Sequence, residues 1–265
     1  MKSFQFSTLL MCVMALTFGF SYLAMATHVD DDVGVNPGPE ADELNEDRPG
    51  APWITYWWML DGQITGTGGF AASAPIDWLS EGSGGAITQE SISTLAGLTA
   101  SQGSTINLPN NGGNLGWGVF TIDPADGNNM STIYGFADES DFDTYAIIVI
   151  DSPNDRDTVM QPAHDDHVQI WINGHKFYNN SRWTGGATTV DWDIEISFNK
   201  GLNVLLYRTG ESGGSDYFNL AFQDSDSDLT LYPDDSGAFF DAISTAVEPG
   251  GKLPSIWGDI KRQNR

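Results

Sequence analysis

Cysteine is almost absent from this chain: the single cysteine among its 265 residues is Cys12. It lies in residues 9–23, an apolar and uncharged run that follows Lys2 and leads to the tripeptide Ala24-Met25-Ala26. A positive residue, an apolar run and small residues at the cleavage positions form the pattern of a secretory signal peptide. We therefore predict cleavage after Ala26, which leaves a mature chain without cysteine and hence without disulfides.

Long hydrophobic runs are lacking after residue 26, so we predict no membrane insertion of the mature chain. The expected location is outside the cytoplasm: secreted, periplasmic or at the cell surface. An uncleaved N-terminal anchor is the alternative interpretation of the same apolar run.

Positive charge is scarce as well, with 11 Lys and Arg against 36 Asp and Glu and a net charge of −25. An acidic surface repels phosphate backbones and anionic lipid head groups, which argues against nucleic acid and membrane surfaces as partners. It also supplies oxygen ligands for hard cations such as calcium. A solvated acidic surface without any bound ion is the commoner explanation of such a composition.

Helical patterns are confined to two short candidates, residues 89–98 and 238–247. Residues 27–52 are rich in Asp, Glu, Pro and Gly, and predict an acidic disordered leader. Residues 223–265 predict an acidic linker and a short tail, which ends with several Lys and Arg. This basic end is either a docking segment or a segment that folds back on the acidic remainder.

The intervening residues 53–222 form the predicted domain, because short β-branched and aromatic runs alternate there with Gly, Asn and Asp. Residues 144–150 are apolar on both faces and predict a central strand. The pair Asn173-Gly174 predicts a tight hairpin, with Val168, Ile170 and Ile172 facing the core on the strand before it. Many short strands without intervening helices predict an all-β, antiparallel, jelly-roll-like sandwich.

Three segments carry a resemblance to a known class of modules: HDDHVQIWING at 164–174, KGLNVLLYR at 200–208 and YFNLAF at 217–222. They resemble the hairpin, the following strand and the closing strand of PA14-like and galactose-binding-like β-sandwich modules. The resemblance implies a module of the kind attached to secreted glycosidases, adhesins or surface proteins, and often presumed to bind carbohydrate.

The resemblance also implies a metal site, since some PA14-like lectins use an Asp-Asp pair to hold calcium that grips sugar hydroxyls. Carried over to this chain, the calcium ligands are Asp165 and Asp166. Alternatively, one aspartate caps the turn while the other faces solvent. A transition-metal site formed by His164 and His167 is a further, less specific possibility.

Aromatic residues are the candidates for a sugar platform, because sugar rings stack their C–H faces on indole. Trp183 is the best of them, with Arg182 and Asn180 as neighbouring hydrogen-bonding groups. Trp171 is a further candidate, since it lies on the opposite face of its strand from the three core residues. For every such tryptophan, burial in a core is the competing explanation.

Two recognised catalytic patterns are missing: the chain has no His-Glu-x-x-His helix and no phosphate-binding loop. We therefore predict a non-catalytic binding module whose partner is a glycan or cell-surface polysaccharide. A structural or adhesive surface protein without sugar affinity is the alternative. A secreted glycoside-active hydrolase is the third hypothesis, since paired carboxylates abound.

Overall fold

The computed structural model describes residues 41–247. In this range the strands are β1 Ala41–Asp47, β2 Tyr56–Leu60, β3 Ile64–Thr65, β4 Ile106–Leu108, β5 Gly113–Leu115, β6 Trp117–Thr121, β7 Phe142–Ser152, β8 Arg156–His164, β9 His167–Ile172, β10 His175–Asn180, β11 Thr189–Phe198, β12 Gly201–Glu211, β13 Phe218–Phe222 and β14 Thr230–Tyr232. The helices are α1 Phe70–Ser73, α2 Trp78–Ser83, α3 Gln89–Ile92, α4 Leu95–Ala100, α5 Asn129–Thr132 and α6 Phe239–Val247, with a 3-10 turn at Asp224–Asp226.

Two antiparallel sheets form the predicted sandwich. The smaller has the order β1-β11-β8-β13, and the larger has the path β10-β9-β12-β7-β2-β6, with β3 and β14 also paired to β7. The hairpin β9–β10 turns at Asn173-Gly174, whose φ values of 51° and 88° are positive, as predicted for this pair. The all-β antiparallel sandwich expected from the sequence is therefore confirmed.

The space between the two sheets holds the first hydrophobic core. Val168, Ile170 and Ile172 of β9 face into it, as the alternation of the sequence predicts. Residues from the smaller sheet close it from the other side, among them Ile194 and Leu220. This core is the interior expected of a two-layer sandwich.

A second hydrophobic core covers the other face of the larger sheet. The apolar residues between those of the first core, such as Ile147 and Val149, pack there against Leu79, Ile92 and Phe239 from the helices. The strand β7 is thus buried on both faces, which explains why its sequence is apolar throughout. The helices of this layer lie within residues 66–116 and in α6. The sequence predicted helices only at residues 89–98 and 238–247.

A buried ion pair attaches the helical layer to the sheet. The Arg208 guanidinium lies 2.7 Å from a carboxylate oxygen of Asp143, and both side chains are wholly buried. Arg208 also donates to the backbone carbonyls of Ser73, Ala74 and Ile76 around α1. A buried charge needs such partners, because an uncompensated one is strongly destabilising.

The domain extends beyond the predicted bounds of 53–222 on both sides. Strand β1, within the expected leader, pairs with β11. Within the expected linker and tail, β14 pairs with β7 of the larger sheet, and α6 packs on that sheet in the second core. Asp226 and Asp228 form ion pairs with Arg156, so this acidic stretch is tied to the sandwich.

Residues 1–40 and 248–265, with the predicted signal peptide and basic tail, lie outside the described residues. Among residues 41–247, no helix has the length and apolar character needed to cross a bilayer.

Candidate functional site

The Asp165-Asp166 turn joins β8 to β9 at the end of the sandwich where β12 also ends. The backbone N–H of Asp165 donates to the carbonyl of Tyr217 (2.9 Å), and that of Asp166 donates to the carbonyl of Gly210 (3.2 Å). The peptide bond between the two aspartates is cis. These contacts hold the turn between the end of β12 and the start of β13.

Glu211, the last residue of β12, completes a group of three carboxylates with Asp165 and Asp166. Each offers an oxygen, and the three oxygens lie within 4.8 Å of one another. Glu211 is wholly buried, Asp166 is 7% exposed and Asp165 is half-buried. We call this set the acidic triad.

The hydrogen bonds of the acidic triad leave one buried oxygen unsatisfied. Oδ2 of Asp166 accepts from the backbone N–H of Ser212 (3.0 Å), and Oε1 of Glu211 accepts from the backbone N–H of Gly213. The other oxygen of Glu211, Oε2, is buried without a hydrogen-bond partner. Such an orphaned acceptor is costly unless another group satisfies it.

Burial and neighbouring negative charge together raise the pKa values of two members of the acidic triad. Burial, followed by the neighbouring Asp166 carboxylate, raises the pKa of Asp165 to about 7. Burial, followed by Asp166 and Asp165, raises the pKa of Glu211 to about 8. The charged neighbours that shift these two pKa values are themselves carboxylates, including Asp216. Because carboxylate oxygens are common ligands of metal ions, the acidic triad could hold a metal ion.

Glu211 was missed in the sequence analysis. It stands at the end of an apolar strand, in the segment that follows the family-like KGLNVLLYR run, and a buried glutamate at that point is unusual. The sequence gives no direct sign that the end of β12 meets the β8–β9 turn. That proximity follows from the register, in which Gly210 pairs with His167.

His164 and His167, which the sequence offered as transition-metal ligands, are buried beside the acidic triad and are not members of it. Burial lowers the pKa of His164 to about 4 and also lowers that of His167. The ring of His164 is within hydrogen-bond distance of the Asp166 carbonyl (3.1 Å) and of the Tyr178 hydroxyl (3.3 Å). The buried, neutral ring of His164 therefore supports the Asp165-Asp166 turn from inside the protein.

Trp183 and Arg182, predicted to contact sugar, lie at the surface, and 62% of Trp183 is exposed. The next residue, Thr184, donates its backbone N–H to the carbonyl of His164 over 2.9 Å. Its own carbonyl accepts from the Tyr217 hydroxyl over 2.6 Å. The loop that carries Trp183 is therefore fixed next to the Asp165-Asp166 turn.

Asn180 and Trp171, also predicted as ligand-binding residues, do not lie at the surface, and for Trp171 the competing explanation of a core position is the one that the structure shows. Asn180 is 3% exposed and donates to the Tyr178 hydroxyl (2.8 Å), while its oxygen accepts from the backbone of Arg182 (2.9 Å). Trp171 is 4% exposed and belongs to the second core. The helices that cover this face of β9 were not predicted as a layer, and they remove Trp171 from solvent.

Fold and site together define an antiparallel β-sandwich with an acidic group that could hold a metal ion. Comparison with known proteins finds no matching family model and no matching curated protein. Among solved structures, a PA14 domain of the antifreeze protein MpAFP matches with 16% identity and a TM-score of 0.26. The match covers 44% of this chain and 62% of that one. It belongs to the class that the hairpin residues resemble, but at this TM-score it carries no argument about function.

Proposed function

We propose that this protein is an exported, non-catalytic module that binds a glycan with the help of a calcium ion held by the acidic triad. The observation that carries the proposal is the buried, unpartnered Oε2 of Glu211, close to the oxygens of Asp165 and Asp166. Three carboxylates in partial desolvation repel one another, and a divalent cation removes both that repulsion and the unsatisfied acceptor.

Calcium fits the donors better than a transition metal does. The acidic triad offers only carboxylate oxygens, which suit hard cations, whereas zinc and copper sites use imidazole or thiolate. A bound calcium ion would supply further coordination positions for the hydroxyl groups of a sugar.

Trp183 supports the assignment of a glycan as the ligand. Its exposed indole lies in the loop fixed beside the turn, and an indole face stacks on the C–H face of a sugar ring. Arg182, also exposed, adds hydrogen-bond donors at the same border. A neutral or weakly charged cell-surface polysaccharide is the partner we propose, because the net charge of −25 repels polyanions.

The cation is tested by isothermal titration of the metal-free protein with calcium chloride. We expect saturable binding, with a dissociation constant at or below the roughly 10⁻⁴ to 10⁻³ M of extracellular modules. Glu211→Gln and Asp165→Asn should abolish it, and Asp235→Asn, which changes an exposed aspartate elsewhere, should not. Absence of binding, or binding that Glu211→Gln leaves unchanged, would show that the acidic triad is not the site.

The glycan is tested separately on a glycan array with calcium and with a chelator. Retention of particular glycans only with calcium, and its loss in Trp183→Ala, would support the whole proposal. If calcium binds but no glycan is retained, the glycan part is wrong. The ion then stabilises a structural or adhesive surface protein.

A further inference from the structure

An open groove of about 480 Å³ lies away from the acidic triad, between the loop around β3, residues of β5 and β6, and the segment after α5. Its volume is within the roughly 300–1,000 Å³ of small-molecule sites. None of the residues that line it belongs to the acidic triad. Of the residues in the structure, only Phe136 and Trp183 are large, apolar and exposed, and Phe136 lines this groove.

One side of the groove is aromatic. Phe136 is 47% exposed, and Phe120 and Tyr134 stand beside it with their ring centroids 5.8 Å apart in an edge-on arrangement. The Tyr134 hydroxyl is engaged elsewhere, since it lies 2.9 Å from the carbonyl of Leu60 and 2.8 Å from the Thr144 hydroxyl. The Tyr134 hydroxyl is therefore already satisfied and is not a free group for a ligand.

The other side of the groove carries one donor and one acceptor. Gln63 lines the groove, the residue is 7% exposed, and its amide nitrogen Nε2 is buried without a hydrogen-bond partner. Asp61 lines the groove too, with one carboxylate oxygen accepting from the backbone N–H of Gly116 (2.7 Å). A buried N–H without a partner is costly, so Gln63 favours a ligand that can accept a hydrogen bond.

These groups restrict the chemistry of the ligand. An anion is repelled by Asp61, and an ammonium group cannot accept from Gln63. An aliphatic ligand would leave the Gln63 N–H unsatisfied. A ligand that fits has hydroxyl groups, which both donate and accept, and an apolar face that stacks on a ring.

We propose that this groove is a second binding site, which takes an uncharged sugar ring without a metal ion. The C–H face of the ring lies against Phe136, while its hydroxyls accept from Gln63 and donate to Asp61. An extended peptide is the main rival occupant. It is disfavoured because peptide addition along a strand uses a row of backbone groups, whereas the free groups here are side chains around an aromatic face.

The test uses saturation-transfer NMR of the purified protein with neutral tetrasaccharides of glucose, mannose, galactose and N-acetylglucosamine, in a buffer containing EDTA. The chelator removes calcium, so the outcome is independent of the function proposed for the acidic triad. We expect at least one tetrasaccharide to bind. Phe136→Ser and Gln63→Met should each weaken its binding about tenfold, through loss of the stacking face and of the donor.

Glu195→Gln is the control, because it changes an exposed side chain outside both the groove and the acidic triad and should leave this binding unchanged. Thermal unfolding identifies a Gln63→Met protein that fails to fold, and the exposed Phe136→Ser then decides alone. The inference is wrong if no tetrasaccharide binds in EDTA, or if Phe136→Ser leaves binding unchanged. It is also wrong if an extended apolar peptide, and no sugar, occupies the groove in a Phe136-dependent way.

Discussion

The backbone N–H of Ser212 donates to Oδ2 of Asp166 over 3.0 Å, and so joins the end of β12 to the turn between β8 and β9. Ser212 directly follows Glu211, and the hydrogen bond therefore holds two carboxylates of the acidic triad near each other before any ion arrives. It satisfies one oxygen of Asp166 and leaves Oε2 of Glu211 without a partner. The carboxylates are therefore held close together before an ion binds, while their mutual repulsion is uncompensated. The effect of this repulsion on the free energy of unfolding can be measured.

Replacement of Glu211 by Gln should stabilise the metal-free protein, in contrast to most buried substitutions. Gln keeps the shape, removes one of three repelling charges and offers an N–H₂ group to the neighbouring carboxylates. We expect the free energy of unfolding in urea to rise by about 1–3 kcal/mol at pH 8 with EDTA. Calcium should then add stability to the wild type only. Glu195→Gln, at an exposed position, is the control, and a less stable metal-free Glu211→Gln protein would contradict the argument.

The stability of the metal-free protein should fall as pH rises from about 6.5 to 8. Burial raises the folded-state pKa of Asp165 to about 7 and that of Glu211 to about 8, from ordinary values of 3.8 and 4.5. The folded state therefore keeps protons that the unfolded chain has released, and the stability they provide is lost as pH passes these values. His164 and His167, whose pKa values are lowered, act in the opposite direction only below their ordinary value of 6.5.

Urea unfolding at closely spaced pH values, with EDTA, measures this slope. We expect at most about 1.4 kcal/mol per pH unit for each proton released. An Asp165→Asn/Glu211→Gln double variant should show a flatter profile between the same pH values. A wild-type stability that is constant or rises over this range would show that the two carboxylates are ionised in the metal-free protein.

The ion pair between Arg208 and Asp143 should be essential for stability, because each partner is wholly buried. Arg208→Met leaves Asp143 charged inside the protein and removes the donors that hold the carbonyls around α1. We expect a loss of about 3–5 kcal/mol in the free energy of unfolding. The double variant Arg208→Met/Asp143→Leu should lose less than the single one, and a larger loss in the double variant would refute the explanation.

The hairpin shows what the sequence was able to predict. Alternation along β9 and the Asn173-Gly174 pair depend only on neighbouring residues, and both the turn and the core face were predicted correctly. The same alternation placed Trp171 on the opposite face but did not show what covers that face. The helices that cover this face are short. The Asn173-Gly174 turn lies against Thr94, the residue before α4, whose methyl carbon would be 3.0 Å from a Cβ built at position 174.

The candidate site was predicted in part for the same reason. The Asp165-Asp166 pair is contiguous in the chain and was found through the family-like hairpin, whereas Glu211 is brought to it by strand register. A pairing between distant strands leaves no periodic signal in either segment. The groove at Phe136 was not predicted either, since it joins three segments that carry no common motif.

Trp183 and Trp171 give a direct comparison between an exposed and a buried tryptophan. Trp183 is 62% exposed, so Trp183→Ala should change the free energy of unfolding by less than about 0.5 kcal/mol. Trp171 is 4% exposed within the second core, and Trp171→Ala should cost about 3–5 kcal/mol.

If the calcium-dependent glycan site is as proposed, Trp183→Ala also weakens glycan binding about tenfold while the protein stays folded. Urea unfolding together with glycan titration in calcium separates the two effects. A large loss of stability in Trp183→Ala, or unchanged glycan affinity, would remove this indole from the site.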